Sequence, residues 1–160
     1  MPSNLRIRQM ELNDIQAIME IEDRSFPLPY STGIWEREKR NSLSRTLVAV
    51  DDRGEETAEL RGYLNFWLIL DEAEIHRIAV KEEYRRYGIA GRLLYEMFKV
   101  LRDMGIVSAH LEVRQSNHDA IKLYEKFGFM IKGRRKGYYQ ETEEDALILA
   151  ADVKGITQVT

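Results

Sequence analysis

A basic turn that contains glycine joins a short apolar run to a helical pattern within residues 74–91. The first N–H groups of a helix have no intrahelical partner, and the helix dipole places about half a positive charge at that end. An anion such as phosphate can therefore bind where the turn enters the helix. Gly88 has no Cβ, so the backbone there can approach a phosphate closely and adopt a positive φ. Arg85 and Arg86 add positive charge, and the segment predicts an anion-binding site.

The same turn also has a purely structural interpretation, in which a glycine ends the strand and the arginines contact only solvent. Short glycine motifs occur by chance often enough to keep this interpretation open. The turn has neither the spacing and Lys-Ser/Thr ending of a P-loop nor the three glycines of a dinucleotide-binding fingerprint. Those two classes of phosphate site are therefore disfavoured.

Glu112 and Tyr124 are further side chains whose types could do chemistry. Apolar and polar residues alternate over 107–114, which predicts a strand whose polar face carries Glu112. A carboxylate there is either a functional group in a perturbed environment or a surface or salt-bridged glutamate. Tyr124 lies on an apolar helical stripe, which is more often core than catalytic, and its hydroxyl needs a partner if it is buried.

The periodicities predict elements in the order β-α-α-β-β-β-α-β-α-β-β, which indicates an α+β (three-layer) fold with a mixed, mostly antiparallel sheet of about seven strands and about four helices. The predicted strands are 5–9, 46–50, 60–70, 74–80, 107–114, 129–131 and 146–153. The predicted helices run from Asn13 or Asp14 to about Phe26, over 32–42, from the basic turn to Gly105, and from Ser116 or Asn117 to Gly128. Residues 137–139 and 141–145 are predicted to form a hairpin loop.

Residues 26–30, Phe-Pro-Leu-Pro-Tyr, are predicted to form a loop. The two prolines lack backbone donors and push the residues before them into extended conformations, so a helix cannot continue there. Phe26, Leu28 and Tyr30 would be costly to expose unless they cover something. The loop is therefore either a wall of a substrate site or a segment folded onto the core.

Length and composition predict one domain over residues 1–160, with 154–160 as a tail. The chain has 44% hydrophobic and 32% charged residues and a net charge of -3, which offers no basic footprint for nucleic acid. No apolar run approaches the ~20 residues that cross a bilayer, and the N-terminus lacks the apolar core of a signal peptide. There is no cysteine, and His76, His110 and His118 do not have metal-site spacing. We expect a cytoplasmic protein without a metal or a membrane anchor.

Three sequence motifs resemble those of one enzyme family. Arg-x-x-Gly-x-Ala, formed by Arg85, Gly88 and Ala90, resembles the pyrophosphate-binding motif Gln/Arg-x-x-Gly-x-Gly/Ala of the GNAT N-acetyltransferase superfamily. LEVRQSNHDAIKLYEKFGF at 111–129 resembles the second hallmark of that superfamily. With RRYGIAG and the terminal GYY and EDALILA segments, the chain looks like the RimI-type ribosomal-protein alanine N-acetyltransferases and the related archaeal N-terminal acetyltransferases. The likeness covers residues 74–150, whereas 1–70 match only in the order of elements.

The resemblance implies a GNAT fold that binds acetyl-CoA. It makes Glu112 the general base, acting through water, with Glu74 and then His76 as reserve candidates on the preceding strand. Tyr124 would protonate the departing CoA thiolate, and Asn117 would hydrogen-bond the pantetheine arm. The implied cofactor-binding residues are Ile78, Ala79, Val80, Arg85, Arg86, Tyr87, Gly88, Ile89, Ala90, Gly91, Asn117 and Tyr124.

The resemblance also implies the acceptor. The implied substrate-binding residues are Phe26, Tyr30, Glu74, Tyr138 and Tyr139. The implied reaction is acetyl transfer to the α-amino group of a protein N-terminus, with a ribosomal protein as one candidate acceptor, by a monomer or homodimer. Acetylation of a small amine or a lysine side chain, and a CoA-binding regulatory module without turnover, stay open as alternatives.

Overall fold

A computed structural model describes residues 4–53 and 58–155 of the chain and contains seven strands and four α-helices within these ranges. Their order is the one that the sequence predicts. The elements are β1 (Leu5–Gln9), α1 (Ile15–Ser25), α2 (Thr32–Arg40), β2 (Ser44–Asp51), β3 (Glu59–Ile69), β4 (Glu72–Val80), α3 (Ile89–Asp103), β5 (Ser108–Arg114), α4 (His118–Lys126), β6 (Met130–Tyr139) and β7 (Glu144–Asp152).

The strands form a seven-stranded sheet in the order β1-β2-β3-β4-β5-β7-β6. The β1-β2, β2-β3, β5-β7 and β6-β7 pairs are antiparallel. The β4-β5 pair is parallel and joins Glu72–Ile75 to Ser108–Leu111. The predicted α+β class with a mixed, mostly antiparallel sheet is confirmed.

The chain divides into two compact units, of which the first comprises residues 1–67 and 77–97 and the second 68–76 and 98–160. The assignment of one domain to 1–160 stays a prediction. Of the predicted tail, Lys154 and Gly155 lie in a short 3-10 helix, Val153–Gly155, and the remaining residues lie outside the described ranges.

The core of the first unit packs α1 and α2 against β2 and β3. Ile18 and Trp35 from the helices and Val48 and Tyr63 from the strands are fully buried. Isoleucines spaced three apart along α1 form the buried stripe, which is why this segment is a helix docked on a sheet. Ser31 begins α2, because its side chain accepts a hydrogen bond from the backbone N–H of Ile34.

The core of the second unit contains three phenylalanines from α3, α4 and the start of β6. The Phe98 ring lies 6.1 Å from Phe127 and 5.8 Å from Phe129, measured between centroids. Gly105 and Gly128 follow α3 and α4 with φ of 74° and 86°. Each therefore ends its helix in the left-handed conformation that the sequence predicts.

The prediction for β6 was wrong in length. The sequence predicts a strand over 129–131 and a loop at 137–139, whereas β6 is one strand of ten residues with register shifts after Ile131 and after Arg135. Almost all of its side chains are exposed, so the apolar alternation that reveals a half-buried strand is missing. For the same reason β7 begins at Glu144, inside the predicted loop.

Across residues 4–53 and 58–155, no helix is both long and apolar enough to cross a membrane. The same residues contain no group of three or more acidic or histidine side chains that could hold a metal ion.

Candidate active site

The basic turn of the first unit enters α3 through two residues in left-handed conformation. Arg86 has φ 70° and Gly88 has φ 81°. The backbone N–H of Arg92 bonds the Gly88 carbonyl at 3.1 Å, so the N–H groups of Ile89, Ala90 and Gly91 belong to the first helical turn, which lacks intrahelical acceptors. A Cβ added at Gly88 would have no atom within 4 Å. The turn therefore combines open space with converging backbone donors, which suits a phosphate group.

Ile89 anchors this turn to the first unit. Its side chain is 2% exposed, and a Cβ added at Gly62 on β3 would approach Ile89 Cγ2 to 3.3 Å and the Ala79 carbonyl to 3.1 Å. Ala79 and Val80 are buried as well. A cofactor could therefore meet these three predicted residues through their backbone groups, while their side chains hold the turn in place.

Arg85 braces the turn. Its Nε donates to the Val80 carbonyl at 3.0 Å and its Nη2 to Ser25 Oγ at 3.3 Å. Two of its guanidinium nitrogens are therefore engaged by protein groups, and the predicted contact of Arg85 with the cofactor stays a prediction. Arg86 and Tyr87 are exposed at the same turn, and Ile78 on β4 is half-buried.

A second brace, which the sequence did not reveal, holds the 3-10 turn Glu82–Tyr84 in front of the basic turn. Glu59 accepts hydrogen bonds from Lys81 Nζ and from the Tyr84 hydroxyl, both at 2.7 Å. Arg61, buried in an ion pair with Asp51, lies 3.8 Å above the Tyr84 ring. Burial raises the pKa of Glu59, but the hydrogen bonds from Lys81 and Tyr84 outweigh it, so the net pKa is lowered.

Glu112 lies in the second unit on the polar face of β5, as the alternation predicts. It directly follows Leu111, the last residue of the parallel ladder with β4, and faces Ile148 across the β7 ladder. Arg135 Nε on β6 lies 2.9 Å from Glu112 Oε1, and the glutamate side chain is 29% exposed. Glu112 is thus ion-paired, as the structural alternative foresaw, and its role as a base stays a prediction.

Two tyrosines of β6 lie near Glu112. The Tyr138 and Tyr139 rings meet edge to face at 5.1 Å, and Arg114 stacks 3.9 Å above Tyr139. Burial raises the pKa of Tyr139, Arg114 opposes this, and the Glu112 carboxylate adds to the rise. Arg135, which pairs with Glu112, also lies 5.7 Å from the centroid of the Tyr138 ring, so the predicted base and a predicted substrate-binding residue share one neighbourhood.

Tyr124 is 5% exposed on α4, with its ring edge-on to Phe129 at 5.6 Å. Burial raises the pKa of its hydroxyl, and Tyr139 adds to that rise. The core position expected from periodicity is therefore correct. The hydroxyl keeps its proton at neutral pH, which a general acid requires.

Asn117 caps α4, because its Oδ1 accepts the backbone N–H of Ala120 at 3.3 Å. The cap uses only the oxygen of the carboxamide, so the amide N–H donors can serve another partner. This confirms the predicted cap and leaves the predicted contact with a pantetheine arm as a prediction.

The reserve candidates Glu74 and His76 bind each other on β4. Glu74 Oε1 lies 3.0 Å from His76 Nε2, and the glutamate side chain is 55% exposed. Glu74 on β4 pairs with His110 on β5 in the parallel ladder, so the two side chains lie on the same polar face of the sheet as Glu112.

Phe26 and Tyr30 lie in the first unit, packed partly into its core. The Arg77 guanidinium lies 4.0 Å from the centroid of each ring. For these two rings, the alternative of a loop folded onto the core is correct. Leu28, between them, is 74% exposed. Their contact with a substrate, and their placement together with Tyr138 and Tyr139, stay predictions.

Comparison with known proteins adds three findings. A sequence model described as the Acetyltransferase (GNAT) family matches residues 15–129. The ribosomal protein bS18-alanine N-acetyltransferase of Escherichia coli (strain K12) is 32% identical over 149 residues, which cover 92% of this chain and 97% of that protein. A Bacillus subtilis (strain 168) protein that carries the same name provisionally is 36% identical over 150 residues, or 93% of this chain and 96% of the relative.

The fold agrees with these relatives. The crystal structure of the ribosomal-protein-S18-alanine N-acetyltransferase from Escherichia coli superimposes with a TM-score of 0.83 at 29% identity, and the match covers 93% of this chain and 94% of that one.

Proposed function

The chain belongs to the GNAT acetyltransferase family, and from that premise we propose that it transfers the acetyl group of acetyl-CoA to the α-amino group of a protein N-terminus. One observation carries the chemical part of this proposal: Arg135 Nε lies 2.9 Å from the carboxylate of Glu112, and the same guanidinium lies 5.7 Å from the centroid of the Tyr138 ring. Glu112 is the candidate base, and the buried Tyr124 on α4 is the candidate acid.

The basic turn fits the pyrophosphate of acetyl-CoA. The left-handed backbone at Arg86 and Gly88, the open space at Gly88 and the N–H groups at the start of α3 form an anion cradle. Asn117 would add a hydrogen bond to the pantetheine arm. Acetyl-CoA, when bound, supplies an activated thioester as the acetyl donor.

The protein groups move two protons in this proposal. Glu112 accepts a proton, through water, from the α-ammonium group of the acceptor, because only the neutral amine is nucleophilic. Arg135 holds the Glu112 carboxylate at 2.9 Å until the acceptor arrives. The neutral amine attacks the thioester carbonyl carbon, so that a C–N bond forms and the C–S bond breaks. Tyr124 donates its hydroxyl proton to the leaving sulfur, and the proton that the acylated nitrogen loses restores the hydroxyl. The raised pKa of Tyr124 keeps its proton available at neutral pH.

A peptide panel tests the proposed reaction. Purified protein and acetyl-CoA are mixed with one of three acceptors. The first is a peptide with a free N-terminus, the second is a peptide with a chemically blocked N-terminus and an internal lysine, and the third is a polyamine without peptide. We expect release of free CoA only with free N-termini, with mass spectrometry placing the acetyl group on the α-nitrogen. Turnover with the blocked peptide or the polyamine alone would move the function to a lysine or small-amine acetyltransferase. Binding without any turnover would indicate a regulatory module.

The finer parts of the proposal concern the acceptor and its setting. The relatives are named as alanine N-acetyltransferases of a ribosomal protein. We therefore include an N-terminal alanine of such a protein in the proposal as the acceptor. The proposed compartment is the cytoplasm. Among peptides that differ only in the first residue, the peptide that begins with alanine should then have the highest kcat/KM. Sedimentation of the purified protein distinguishes between the two predicted states, monomer and homodimer.

A further inference from the structure

Two residues of β3, Glu59 and Arg61, hold both ends of the short 3-10 turn Glu82–Tyr84 that precedes the basic turn. At the start of this 3-10 turn, the backbone N–H of Lys81 donates to the Arg61 carbonyl at 2.8 Å. Lys81 Nζ also donates to Glu59 Oε2 at 2.7 Å. At the other end, the Tyr84 hydroxyl donates to Glu59 Oε1 at 2.7 Å. One carboxylate therefore connects both ends of the 3-10 turn to the sheet.

Arg61 holds the two groups that meet in the second of these hydrogen bonds. Its Nε lies 3.3 Å from Glu59 Oε1, and its guanidinium carbon lies 3.8 Å from the centroid of the Tyr84 ring. A planar guanidinium can pair with a carboxylate at its edge and stack on an aromatic ring with its face. Arg61 is itself fixed, because its side chain is 8% exposed and its Nη2 lies 2.7 Å from Asp51 Oδ2 at the end of β2. The position of the Tyr84 ring is thus set by the sheet.

The basic turn begins directly after Tyr84, and only three residues separate Tyr84 from Gly88. Arg86, inside this short segment, has φ 70°, a left-handed conformation that is unfavourable for a residue with a Cβ. Such a conformation persists only where the surrounding structure holds it. Ile89, which is 2% exposed, fixes the end of the segment that enters α3. Tyr84 fixes the other end.

We propose that Glu59, Arg61 and Tyr84 are positioning residues for acetyl-CoA: they hold the basic turn in its binding conformation before the cofactor arrives, and they govern cofactor affinity without contacting the cofactor. This inference rests on the proposed function, since it takes the basic turn to be the pyrophosphate site. A turn that is already ordered loses less conformational entropy on binding, so these residues should lower the Kd. Residues that only stabilised the fold would change the melting temperature and leave the Kd unchanged.

Charge and position predict opposite effects for the central variant, Glu59→Gln. Glu59 and Arg85 line the same cavity, so this variant removes a negative charge close to the proposed anion site. If charge alone mattered, the phosphates of acetyl-CoA would then be bound more tightly. If Glu59 positions the turn, binding should weaken, because an amide loses the ion pair with Lys81 and accepts the Tyr84 hydrogen bond less strongly. We expect calorimetry to show a Kd for acetyl-CoA that is about tenfold higher.

Tyr84→Phe provides a second test that changes no charge. It removes the hydroxyl and keeps the ring on which Arg61 stacks, and it should also raise the Kd for acetyl-CoA. In the double variant with Glu59→Gln the two effects should be less than additive, because both changes weaken the same contact. Should Glu59→Gln not fold, Tyr84→Phe carries the same comparison.

The matched control is Asp14→Asn in the same unit, because Asp14 is 9% exposed and pairs with Arg8 at 2.7 Å. Asp14 precedes α1, whereas Arg85 of the basic turn meets α1 at its last residue, Ser25. We expect Asp14→Asn and Glu59→Gln both to lower the melting temperature. Only Glu59→Gln should raise the Kd and the KM for acetyl-CoA. The acceptor KM, and kcat at saturating acetyl-CoA, should change little in either variant.

Amide hydrogen exchange tests the positioning role without any ligand. The backbone N–H of Arg85 donates to the Glu82 carbonyl at 3.2 Å, within the segment that Tyr84 fixes. In protein without acetyl-CoA, this amide should exchange faster in Tyr84→Phe than in the native chain, and at the native rate in Asp14→Asn.

The outcomes distinguish failure of this inference from failure of the proposed function. Unchanged exchange at the Arg85 amide would overturn the positioning role. The same conclusion would follow if Glu59→Gln and Tyr84→Phe bound acetyl-CoA with the Kd of Asp14→Asn. If exchange responds but the native protein binds no acetyl-CoA, or Gly88→Asp binds it equally well, the proposed cofactor site fails and the positioning role fails with it.

Discussion

At the scale of single residues, the ion pair between Arg135 and Glu112 decides how the proposed base can work. A carboxylate held at 2.9 Å by a guanidinium has a defined orientation, and an acceptor ammonium can compete for the same oxygen. Because Arg135 is itself 57% exposed, it can turn toward solvent when the acceptor binds. The pair is thus compatible with catalysis, although it also fits a structural role.

Replacing Glu112 tests whether the glutamate is a catalytic base or has only a structural role. Glu112→Gln keeps the shape of the side chain but cannot accept the proton, so we expect kcat to fall by roughly 10²- to 10⁴-fold with nearly unchanged acetyl-CoA affinity. Glu74→Gln is the matched control, since it changes another glutamate of the same polar face. If Glu74→Gln abolishes activity and Glu112→Gln does not, the base lies on β4. If neither matters, the enzyme acts mainly by holding amine and thioester in line.

Tyr124→Phe removes only the hydroxyl from a side chain that packs against Phe129. We expect kcat to fall because the sulfur then leaves without its acid. A general acid loses activity as pH rises through its pKa, and the raised pKa of Tyr124 puts that loss above the ordinary value of about 10. The ratio of native to variant kcat should therefore stay constant from about pH 6 to pH 9. A ratio that collapses within this range would exclude Tyr124 as the acid.

At the scale of elements, the turn before α3 is the clearest test of cofactor binding. Gly88→Asp places a side chain and a like charge where phosphate is expected, in a backbone conformation with φ 81° that few residues other than glycine adopt. We expect acetyl-CoA binding to be lost in calorimetry. At 100 times its Kd, acetyl-CoA should stabilise the native protein by about 2.7 kcal/mol, raising its Tm but not that of the variant. Unchanged affinity in Gly88→Asp would refute the assignment of the site.

The helices and strands were more predictable from the sequence than the contacts between distant side chains. Within residues 4–53 and 58–155 the seven strands and four helices occur in the predicted order, because amphipathic spacing and helix-ending glycines are local signals. The length of β6, which lacks that spacing, was not predicted. The positive φ of Gly88 was foreseen, whereas that of Arg86 was not. The sequence did not reveal two hydrogen bonds between distant residues. Tyr63 and Glu22 are 41 residues apart in the chain, and Tyr84 and Glu59 are 25 residues apart. Such pairs leave no periodic trace.

At the scale of the whole molecule, pH affects the stability of the fold through its paired carboxylates. Burial raises the pKa of Asp14, but hydrogen bonds from Arg8 and from the Glu11 backbone outweigh it, so the folded pKa lies below the ordinary value. A carboxyl group whose pKa is lower in the folded than in the unfolded chain stabilises the fold at pH values above its unfolded pKa of about 4. This stabilisation is lost as the pH falls through the folded pKa.

The native protein should therefore melt at a higher temperature than Asp14→Asn at pH 7, and the gap should narrow steadily below about pH 4. Thermal scans between pH 7 and pH 2.5 measure it. A gap that is constant over this range would mean that the Asp14 carboxyl has the same pKa in the folded and unfolded chain.

The last strand of the sheet order, β6, has a consequence for how copies of the protein meet each other. Within residues 4–53 and 58–155 no strand pairs with its outer backbone edge. Met130 and Ile131 on β6 are 64% and 56% exposed, so this edge could template intermolecular strand addition. Lys132 directly follows this apolar pair, and Lys136 adds a second positive charge further along the same strand. Repulsion between copies would then protect a concentrated solution from fibril-like self-assembly. Replacing both lysines by threonine should increase light scattering on incubation, most strongly in low salt, where the lost repulsion acts over the longest distance.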